Sequence, residues 1–366
     1  MMLHTSPASH CTRFHATHRP FAASSCCPTP SHSSRRTGRR SKAVVVLASA
    51  NDSLALFSPS KVNLFLRVVR RREDGYHDLA SLFHVIDLGD DMQFTQLPAG
   101  ATSDKLVCSD PTIPHDDSNL VIKALNLFRR KTGVQAFFEV TLEKRVPHGA
   151  GLGGGSGNAA TTLYAANELT GRPATNAQLL EWSGDIGSDI SVFFSNGAAY
   201  CTGRGEVVDD VPPPLPLATP LLLVKPPVGL STPMIFKSLD LGRRSTADPL
   251  QLLAGMTNAG KISPELCVND LEQPAFDNLP ELLQLKQRLI KEGGSAFDAV
   301  FMTGSGSTIV CVGDDTAPQF LSEEQYQQLF VSPARLIVRQ PGAWYEHSSK
   351  AAAPAAVPAA AAAAAS

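Results

Sequence analysis

The sequence predicts a protein that combines α-helices and β-strands in one large or two medium domains. Its length of 366 residues exceeds what a single hydrophobic core usually supports, and its hydrophobic content of 43% is ordinary for a globular protein. A patterned strand, a glycine-rich loop and a helix follow one another over residues 137–171. The proline-rich segment Val211–Pro216 then separates two halves that both carry helices and strands, so we expect a domain hinge there.

The first half carries local signals for strands, a turn and helices. Residues 54–69 are predicted to form two short strands around a Ser-Pro break, and the Asp-Gly pair at 74–75 marks a hairpin turn. A helix is predicted over residues 118–133, because a Ser-Asn pair can cap its start and a glycine follows its basic last turn. Residues 137–143 alternate as a strand, and Ser156 is predicted to cap a second helix.

The second half has fewer strong signals. Residues 221–224, 299–302 and 308–312 are predicted strands. A helix is predicted over residues 279–290, with a proline in its first turn and a Gly-Gly pair after its end. The stretch 239–267 is predicted to be irregular.

Residues 1–50 differ from the rest of the chain in composition. Seven of the 32 Lys and Arg and none of the 34 Asp and Glu lie there, which leaves 25 basic and 34 acidic residues, a net charge of −9, in residues 51–366. A basic head without acids that is rich in Ser is typical of an organelle transit peptide, and its Ser, Thr and Pro content favours a plastid. A disordered basic tail is the alternative.

The composition also excludes several classes of partner and site. The acidic body gives no reason to expect nucleic acid or an anionic membrane as a partner. No apolar run in the sequence is long enough to span a bilayer. The cysteines are scattered, without a Cys-x-x-Cys pair or a matching His spacing, so neither a disulfide framework nor a zinc site is expected.

The strongest functional signal is the glycine-rich loop over residues 147–160. Five glycines fall within Gly149–Gly155 and a sixth is Gly157. A backbone without Cβ atoms can approach a ligand closely, and the helix that follows adds free N–H groups and the positive end of its dipole. The pattern predicts a phosphate-binding site, with a flexible linker as the less favoured alternative.

Known phosphate-loop patterns narrow this prediction. A Walker A loop is excluded, because no Gly-Lys-Ser/Thr ends the glycine run. The dinucleotide pattern G-x-G-x-x-G is present at Gly149–Gly154, but the second strand and the acidic residue that this fold needs do not follow the helix. A nucleotide-binding dehydrogenase therefore stays an alternative with this evidence against it.

Residues 147–160 resemble the ATP loop of the GHMP small-molecule kinases. The form Gly-Leu-Gly-Gly-Gly-Ser-x-Asn-Ala-Ala is that of the branch which phosphorylates 4-diphosphocytidyl-2-C-methyl-D-erythritol in non-mevalonate isoprenoid biosynthesis. Ser58–Leu66, Asp74–His77, Gly187–Phe193 and Thr303–Gly306 resemble the family's further motifs, in the same order. One departure is Gly157, where the family usually has a second Ser.

The resemblance implies a two-domain α+β GHMP kinase fold. Its N-terminal domain would be similar to ribosomal protein S5 and its C-terminal domain would be a ferredoxin-like α/β sandwich, with the active site in the cleft between them. The expected boundaries are 51–216 for the first domain and 217–342 for the second. The transit peptide would occupy 1–50, and an Ala-rich disordered tail would occupy 343–366.

The resemblance also implies an enzyme that uses ATP and Mg²⁺ to phosphorylate the C2 hydroxyl of this small-molecule acceptor. Asp189 would be the catalytic base, and Lys61 would pair with it and with the acceptor and keep the carboxylate ionised. The loop that would hold the nucleotide comprises Pro147, His148, Gly149, Ala150, Gly151, Leu152, Gly153, Gly154, Gly155, Ser156 and Gly157.

The implied acceptor pocket takes polar contacts from Asn63. Tyr76, His77 and Phe236 would face the cytosine. An acceptor linked to a nucleotide needs aromatic side chains that contact its base, whereas a bare sugar alcohol would not. A non-catalytic sensor with the same fold is a further alternative. The presence of both Lys61 and Asp189 argues against it.

Overall fold

The computed structural model of the chain describes residues 52–347, a mixture of helices and strands. The predicted transit peptide and residues 348–366 of the predicted tail lie outside these residues. The strands are β1 Ser53–Arg71, β2 His77–Gln96, β3 Lys105–Cys108, β4 Phe138–Glu143, β5 Ala198–Gly203, β6 Val207–Asp210, β7 Leu221–Lys225, β8 Ala299–Met302, β9 Ile309–Val312 and β10 Phe330–Ala334. The α-helices are α1 Leu120–Thr132, α2 Gly154–Leu169, α3 Asn176–Ser183, α4 Thr232–Ser238, α5 Pro249–Ala259, α6 Glu272–Asn278 and α7 Pro280–Gly293.

The strands form two sheets. The larger has the order β3-β4-β2-β5-β6, and β1 pairs with β2 along most of its length. The first half of β2 pairs with β5 and its second half with β4, so β2 is the strand on which this sheet is built. The smaller sheet is antiparallel, in the order β10-β7-β9-β8. Two sheets with helices match the predicted α+β class.

One long strand replaces the two short strands that were predicted over residues 54–69. The Ser-Pro pair does not end β1; the register with β2 shifts by a bulge between Pro59 and Ser60 and the ladder continues. Proline removes one backbone donor, and a bulge is a place where a sheet tolerates that loss. The predicted turn at residues 74–75 is confirmed, with Gly75 at φ +86°.

The first helix follows its prediction and the second does not. Asn119 caps α1 and accepts a hydrogen bond from the N–H of Val121, while Gly133 ends the helix in the left-handed conformation. Ser156 was predicted to cap α2, but the helix begins at Gly154 after Gly153, whose φ is +67°, and no side chain caps it. The helix therefore starts inside the glycine run, with its first N–H groups directed into the loop.

The order of elements after α2 decides the dinucleotide-binding alternative. The chain continues into α3 and then into a short 3₁₀ helix at Ser191–Phe194. The parallel strand that a dinucleotide-binding fold requires at this place is therefore missing between residues 170 and 197. The structure does not support the dehydrogenase alternative.

The second half is more regular than predicted. The predicted strands and the helix α7 are present, but the stretch 239–267 contains α5, and α4, α6 and β10 were not predicted. Residues 211–216 connect β6 of one sheet to β7 of the other, as expected for a hinge. Leu215 within this connection is buried against the second sheet. The domain boundary at residue 216 stays a prediction.

The larger sheet is covered on both faces, since successive residues of β2 belong to different hydrophobic clusters. Phe83 and Val85 pack with α1 and α2, whereas Leu82 and Ile86 pack with residues of β7 and β9. The other face of the small sheet packs against α4, α6 and α7, so the order of layers is helices, large sheet, small sheet, helices. No helix within residues 52–347 is long and apolar enough to cross a membrane.

The folded body includes residues that were assigned to the disordered tail. Trp344 stacks on Tyr164 with ring centres 4.7 Å apart, and its indole N–H donates to the carbonyl of Phe57 at 3.0 Å. The hydroxyl of Tyr345 donates to the carbonyl of Ser195 at 2.7 Å. The predicted tail therefore starts too early at residue 343, because the rings of Trp344 and Tyr345 belong to the hydrophobic core between the large sheet and its helices.

Replacing Trp344 by Ala should lower the free energy of unfolding by about 3–5 kcal/mol, because a buried indole and its hydrogen bond are lost. Chemical denaturation followed by circular dichroism measures this change. The control is Leu250→Ala on the exposed side of α5, which should change it by about 0.5 kcal/mol or less. Equal effects of the two substitutions would contradict the packing of Trp344.

His84 is a buried histidine between the two sheets. Its Nδ1 lies 2.9 Å from the carbonyl of Val85, and its Nε2 has no hydrogen-bond partner in the described structure. Burial lowers the pKa of His84 to about 4, against the smaller opposing effect of that carbonyl. A proton therefore binds the unfolded chain more readily than the folded one.

As the pH falls from about 6.5 towards 4, the free energy of unfolding should decrease by up to about 3 kcal/mol, because the folded state keeps His84 neutral while the unfolded chain binds a proton. Thermal unfolding at pH 7.5 and at pH 5 measures the loss. His84→Phe cannot titrate, so its melting temperature should fall less over this range than that of the wild type. Parallel pH profiles for the two proteins would show that His84 is not responsible.

Candidate active site

The glycine loop between β4 and α2 forms a cradle of backbone whose shape requires glycine at several positions. Gly149, Gly151 and Gly153 have φ values of +60°, +75° and +67°, a conformation that side chains rarely adopt. A Cβ on Gly151 would lie 2.4 Å from the carbonyl oxygen of Thr303. A Cβ on Gly153 would lie 2.9 Å from Cε of Lys61. The free N–H groups at the start of α2 and its dipole are features that can hold a phosphate group at this cradle.

Lys61 lies beneath this cradle as a buried positive charge. Its side chain is 2% exposed, and Nζ donates to Oδ1 of Asn63 at 2.7 Å and to the carbonyl oxygen of Gly151 at 2.9 Å. Oδ2 of Asp189 lies 3.5 Å from the same Nζ. Burial lowers the pKa of Lys61, and the neighbouring Asp189 carboxylate acts in the opposite direction.

Asp189 is exposed to solvent on a loop whose following residues are anchored in the core. Its side chain is 44% exposed, which leaves one side of the carboxylate open to a substrate. Ile190 and Val192, which follow it, are fully buried. The hydroxyl groups of Ser183 and Ser191 lie 2.9 Å apart and join α3 to the 3₁₀ helix. The loop can therefore present a carboxylate at a fixed place.

Asn63 was predicted to contact the acceptor, but most of its hydrogen-bonding capacity is already used. Its Oδ1 accepts from Lys61, and its Nδ2 donates to Oγ of Ser81 at 2.9 Å. Its backbone N–H donates to Oγ1 of Thr303 at 2.8 Å. Asn63 lines the cavity, and in this arrangement it orients the lysine with one amide hydrogen left for a ligand.

Three aromatic residues, Tyr76, His77 and Phe236, line the cavity as well. The rings of His77 and Phe236 are stacked with centres 5.2 Å apart. Tyr76 is 57% exposed, and the guanidinium carbon of Arg204 lies 5.3 Å from its ring centre. Burial and the charge of Arg71 lower the pKa of His77, which keeps its ring neutral near pH 7. A flat base can stack here on a ready aromatic surface.

All of the predicted site residues except Gly157 line one cavity of about 1110 Å³. The structure thus brings the glycine loop, the Lys61–Asp189 pair and the aromatic group around a common space. Among the described residues that line it, Asp189 is acidic and five are basic: Lys61, Arg71, Lys144, Arg204 and Lys237. Such a balance attracts anions, and polyphosphates above all.

Gly157 is the exception and corrects the predicted nucleotide-binding set. Its N–H donates to the carbonyl oxygen of Gly153 at 2.8 Å within α2, so it is not free for a phosphate. A Cβ at this position would lie 2.3 Å from the carbonyl oxygen of Pro59 and 3.4 Å from the ring of Phe193. The position faces β1, away from the cavity, and the missing hydroxyl removes no ligand from the phosphate cradle.

Asp90 is a central residue that the sequence did not single out. It is fully buried, and its Oδ1 accepts from the N–H groups of Arg145 at 2.7 Å and Val146 at 2.9 Å. Its Oδ2 accepts from Lys144 and from Nδ2 of Asn158 at 2.9 Å. One carboxylate therefore fixes both ends of the glycine loop. It is one of three acidic residues at positions 87–91 within β2, and no spacing in the sequence distinguishes it from the other two.

Gly157→Ala should lower the melting temperature, because the new Cβ cannot avoid the backbone oxygen of Pro59; overpacking of this kind costs about 1–3 kcal/mol. Gly155→Ala is the matched control in the same helix. Its Cβ would meet nothing closer than 3.6 Å, so stability should be unchanged or rise by up to about 1 kcal/mol. Differential scanning fluorimetry compares the two, and a stabilised Gly157→Ala would refute the close approach of α2 to β1.

Comparison with known proteins agrees with this geometry. The family models "GHMP kinases N terminal domain" and "GHMP kinases C terminal" match residues 119–197 and 252–325. The chloroplastic/chromoplastic 4-diphosphocytidyl-2-C-methyl-D-erythritol kinase of Solanum lycopersicum is 55% identical over 293 residues, which cover 80% of this chain and 73% of that protein.

Two solved structures have the same fold. A 4-(cytidine 5'-diphospho)-2C-methyl-D-erythritol kinase superposes with a TM-score of 0.60 and 28% identity, covering 77% of this chain and 99% of that one. A homoserine kinase from Cytophaga hutchinsonii superposes with a TM-score of 0.62 at 16% identity, over 80% of this chain and 98% of that one, which shows the fold alone. The chain therefore belongs to the GHMP kinase family, among its 4-diphosphocytidyl-2-C-methyl-D-erythritol kinases.

Proposed function

We propose that this protein transfers the γ-phosphoryl group of ATP to the C2 hydroxyl of 4-diphosphocytidyl-2-C-methyl-D-erythritol, giving the 2-phosphate and ADP. The observation that carries the proposal is the meeting of three features in one cavity: a phosphate cradle, the Lys61–Asp189 pair and an aromatic surface for a base. GHMP kinases use ATP. The relatives that this chain matches are named for the diphosphocytidyl acceptor.

The cavity fits ATP at the end formed by the glycine loop. Gly151 and Gly153 pack against Thr303 and Lys61 where no Cβ would fit, and the backbone N–H groups of the loop and of the start of α2 would bind the phosphate oxygens. Nζ of Lys144 would lie 3.5 Å from a Cβ at Gly154, which places a cation beside the cradle. Ile113 and Leu120 offer apolar surface for a base at the same end.

Most ligands of Mg²⁺ would be phosphate oxygens of the nucleotide, and few would be side chains of the protein. No group of three or more His, Cys, Asp or Glu side chains in residues 52–347 could hold a metal ion. Mg²⁺ is commonly bound through substrate phosphates and one or two carboxylates, and it neutralises the charge that develops on them. Asp189 and the hydroxyl of Ser156 are oxygen donors of the chain that line the cavity.

Catalysis would rest on Asp189 and Lys61. The carboxylate accepts the proton of the acceptor's C2 hydroxyl as its oxygen attacks the γ-phosphorus, and the bond to the β–γ bridging oxygen breaks. Lys61 holds the carboxylate in place and offers positive charge beneath the transferred group. The glycine loop and α2 meanwhile stabilise the negative charge on the phosphates through fixed donors.

The acceptor would span the remaining length of the cavity. Its hydroxyl lies at Asp189, and its cytosine stacks on the aromatic group of Tyr76, His77 and Phe236. The neutral His77 ring can also hydrogen-bond to a base edge. The named plant relative is chloroplastic, and together with the basic composition of residues 1–50 this supports a plastid location.

Purified protein with ATP and Mg²⁺ should form ADP when the diphosphocytidyl acceptor is added, and phosphorus NMR should show a new monoester at C2. With homoserine, the acceptor of the structurally similar kinase, kcat/KM should be lower by at least about a thousandfold, because that molecule leaves the aromatic and basic groups unpaired. ADP formation that does not depend on the acceptor would contradict the proposal, and no ADP formation at all would contradict it and support a non-catalytic sensor.

Asp189→Asn should lower kcat by about 10²–10⁴-fold, because the amide cannot take up the proton. Steady-state ADP release measures the change. Asp185→Asn is the control: Asp185 lies four residues earlier, pairs with Lys131 on the surface at 3.0 Å and does not line the cavity. Its kcat should stay within about twofold of wild type, consistent with the small effects of surface ion pairs. Near-full kcat in Asp189→Asn would exclude the role of base.

A further inference from the structure

A cation lies between the catalytic carboxylate and the aromatic group, on the turn that joins β5 to β6. Gly203 and Gly205 flank Arg204 with φ values of +69° and +121°. The carboxylate of Glu206 accepts from the backbone N–H of Arg204 at 2.6 Å and lies 3.6 Å from its Nε. These contacts with Glu206 fix the conformation of the turn and therefore the position from which the Arg204 side chain extends.

The backbone of this turn packs against the loop that carries the catalytic base. A Cβ on Gly205 would lie 3.6 Å from Oδ1 of Asp189 and from the carbonyl oxygen of Ser188. The guanidinium carbon of Arg204 lies 5.3 Å from the ring centre of Tyr76. Arg204 therefore connects the two places that the proposed acceptor must occupy with its hydroxyl and its base.

The guanidinium is available to a ligand. Apart from the ion pair of its Nε with Glu206 at 3.6 Å, it makes no polar contact in the described part of the chain; a third of its side chain is exposed, and it lines the cavity. The guanidinium lies over the ring of Tyr76, and this cation–π contact favours orientations of the guanidinium near the ring. Arginine in this state binds phosphate oxygens through two parallel N–H groups.

We propose that Arg204 binds the diphosphate of the acceptor and is the residue that selects a nucleoside-diphosphate-linked substrate over a bare polyol. This inference rests on the proposed function, because the acceptor carries its diphosphate between cytidine and methylerythritol. With the hydroxyl at Asp189 and the cytosine at Tyr76, the diphosphate lies where Arg204 is. The exposed Arg71 and Lys237 line the same end and add charge without this intermediate position.

Equilibrium binding of cytidine 5'-diphosphate and of cytidine to the full-length chain separates the diphosphate contact from the base contact. Arg204→Gln should weaken binding of the diphosphate about 10- to 100-fold, as expected for a charge-assisted contact, and change binding of cytidine by less than about threefold. Arg204→Lys should recover part of the affinity. In the kinase assay, Arg204→Gln should raise KM for the acceptor while KM for ATP stays unchanged.

Arg70→Gln is the matched control, since it removes one positive charge from an exposed arginine that pairs with Asp78 and does not line the cavity. It should leave both affinities unchanged. Equal losses for diphosphate and cytidine in Arg204→Gln would overturn the proposal and assign Arg204 to the support of Tyr76. An unchanged diphosphate affinity, or the same loss in Arg70→Gln, would also overturn it. A wild type that binds the diphosphate but does not phosphorylate the acceptor would instead refute the proposed function.

Discussion

A buried ammonium group is the constraint on which the site depends. Nζ of Lys61 is removed from water, and its charge is tolerable only because Asn63, the carbonyl of Gly151 and the carboxylate of Asp189 surround it. These three partners come from β1, the glycine loop and the loop before the 3₁₀ helix. An unpaired buried charge costs several kcal/mol, roughly 3–5 in measured cases, so the three segments are held together by one side chain. The carboxylate proposed as the base and the loop proposed to bind phosphate are thereby kept in a fixed relation.

A second buried charge, of opposite sign, completes the support. Asp90 accepts hydrogen bonds from the N–H groups of Arg145 and Val146 just before the glycine loop and from Asn158 within α2 after it, and Lys144 neutralises it. Six of the fourteen residues 147–160 are glycine, and Ala150 and Leu152 anchor the loop in the hydrophobic core. Polar groups on either side of the loop add to this support, which would leave the N–H groups that face the cavity free for phosphate.

Local features of the sequence were sufficient where local chemistry decides the structure. The Asn119 cap, the turn at residues 74–75 and the strand–loop–helix order around the glycine run all depend on neighbouring residues, and they were predicted. The start of α2 at Gly154 was not, because it depends on the approach of the helix to β1. Trp344 was missed because an Ala-rich tail follows it, while its partners lie hundreds of residues earlier.

The predicted site residues show the same difference between features that the local sequence reveals and features that only the fold reveals. Lys61 and Asp189 are far apart in the sequence, and a family motif linked them where spacing could not. Asp90 carries no motif that the sequence revealed, and its role comes from burial and four donors that only the fold assembles. Gly157 attracted attention as a missing hydroxyl, yet the fold turns that position towards Pro59. Which way a residue of a helix faces is decided by tertiary packing.

The most direct test of the central claim is a crystal structure of the full-length chain with a non-hydrolysable ATP analogue, Mg²⁺ and the diphosphocytidyl acceptor. The terminal phosphate should lie against the start of α2, and the C2 hydroxyl should lie within hydrogen-bond distance, about 3 Å, of an oxygen of Asp189. An acceptor hydroxyl that faces away from Asp189, or a triphosphate bound outside the glycine loop, would contradict it.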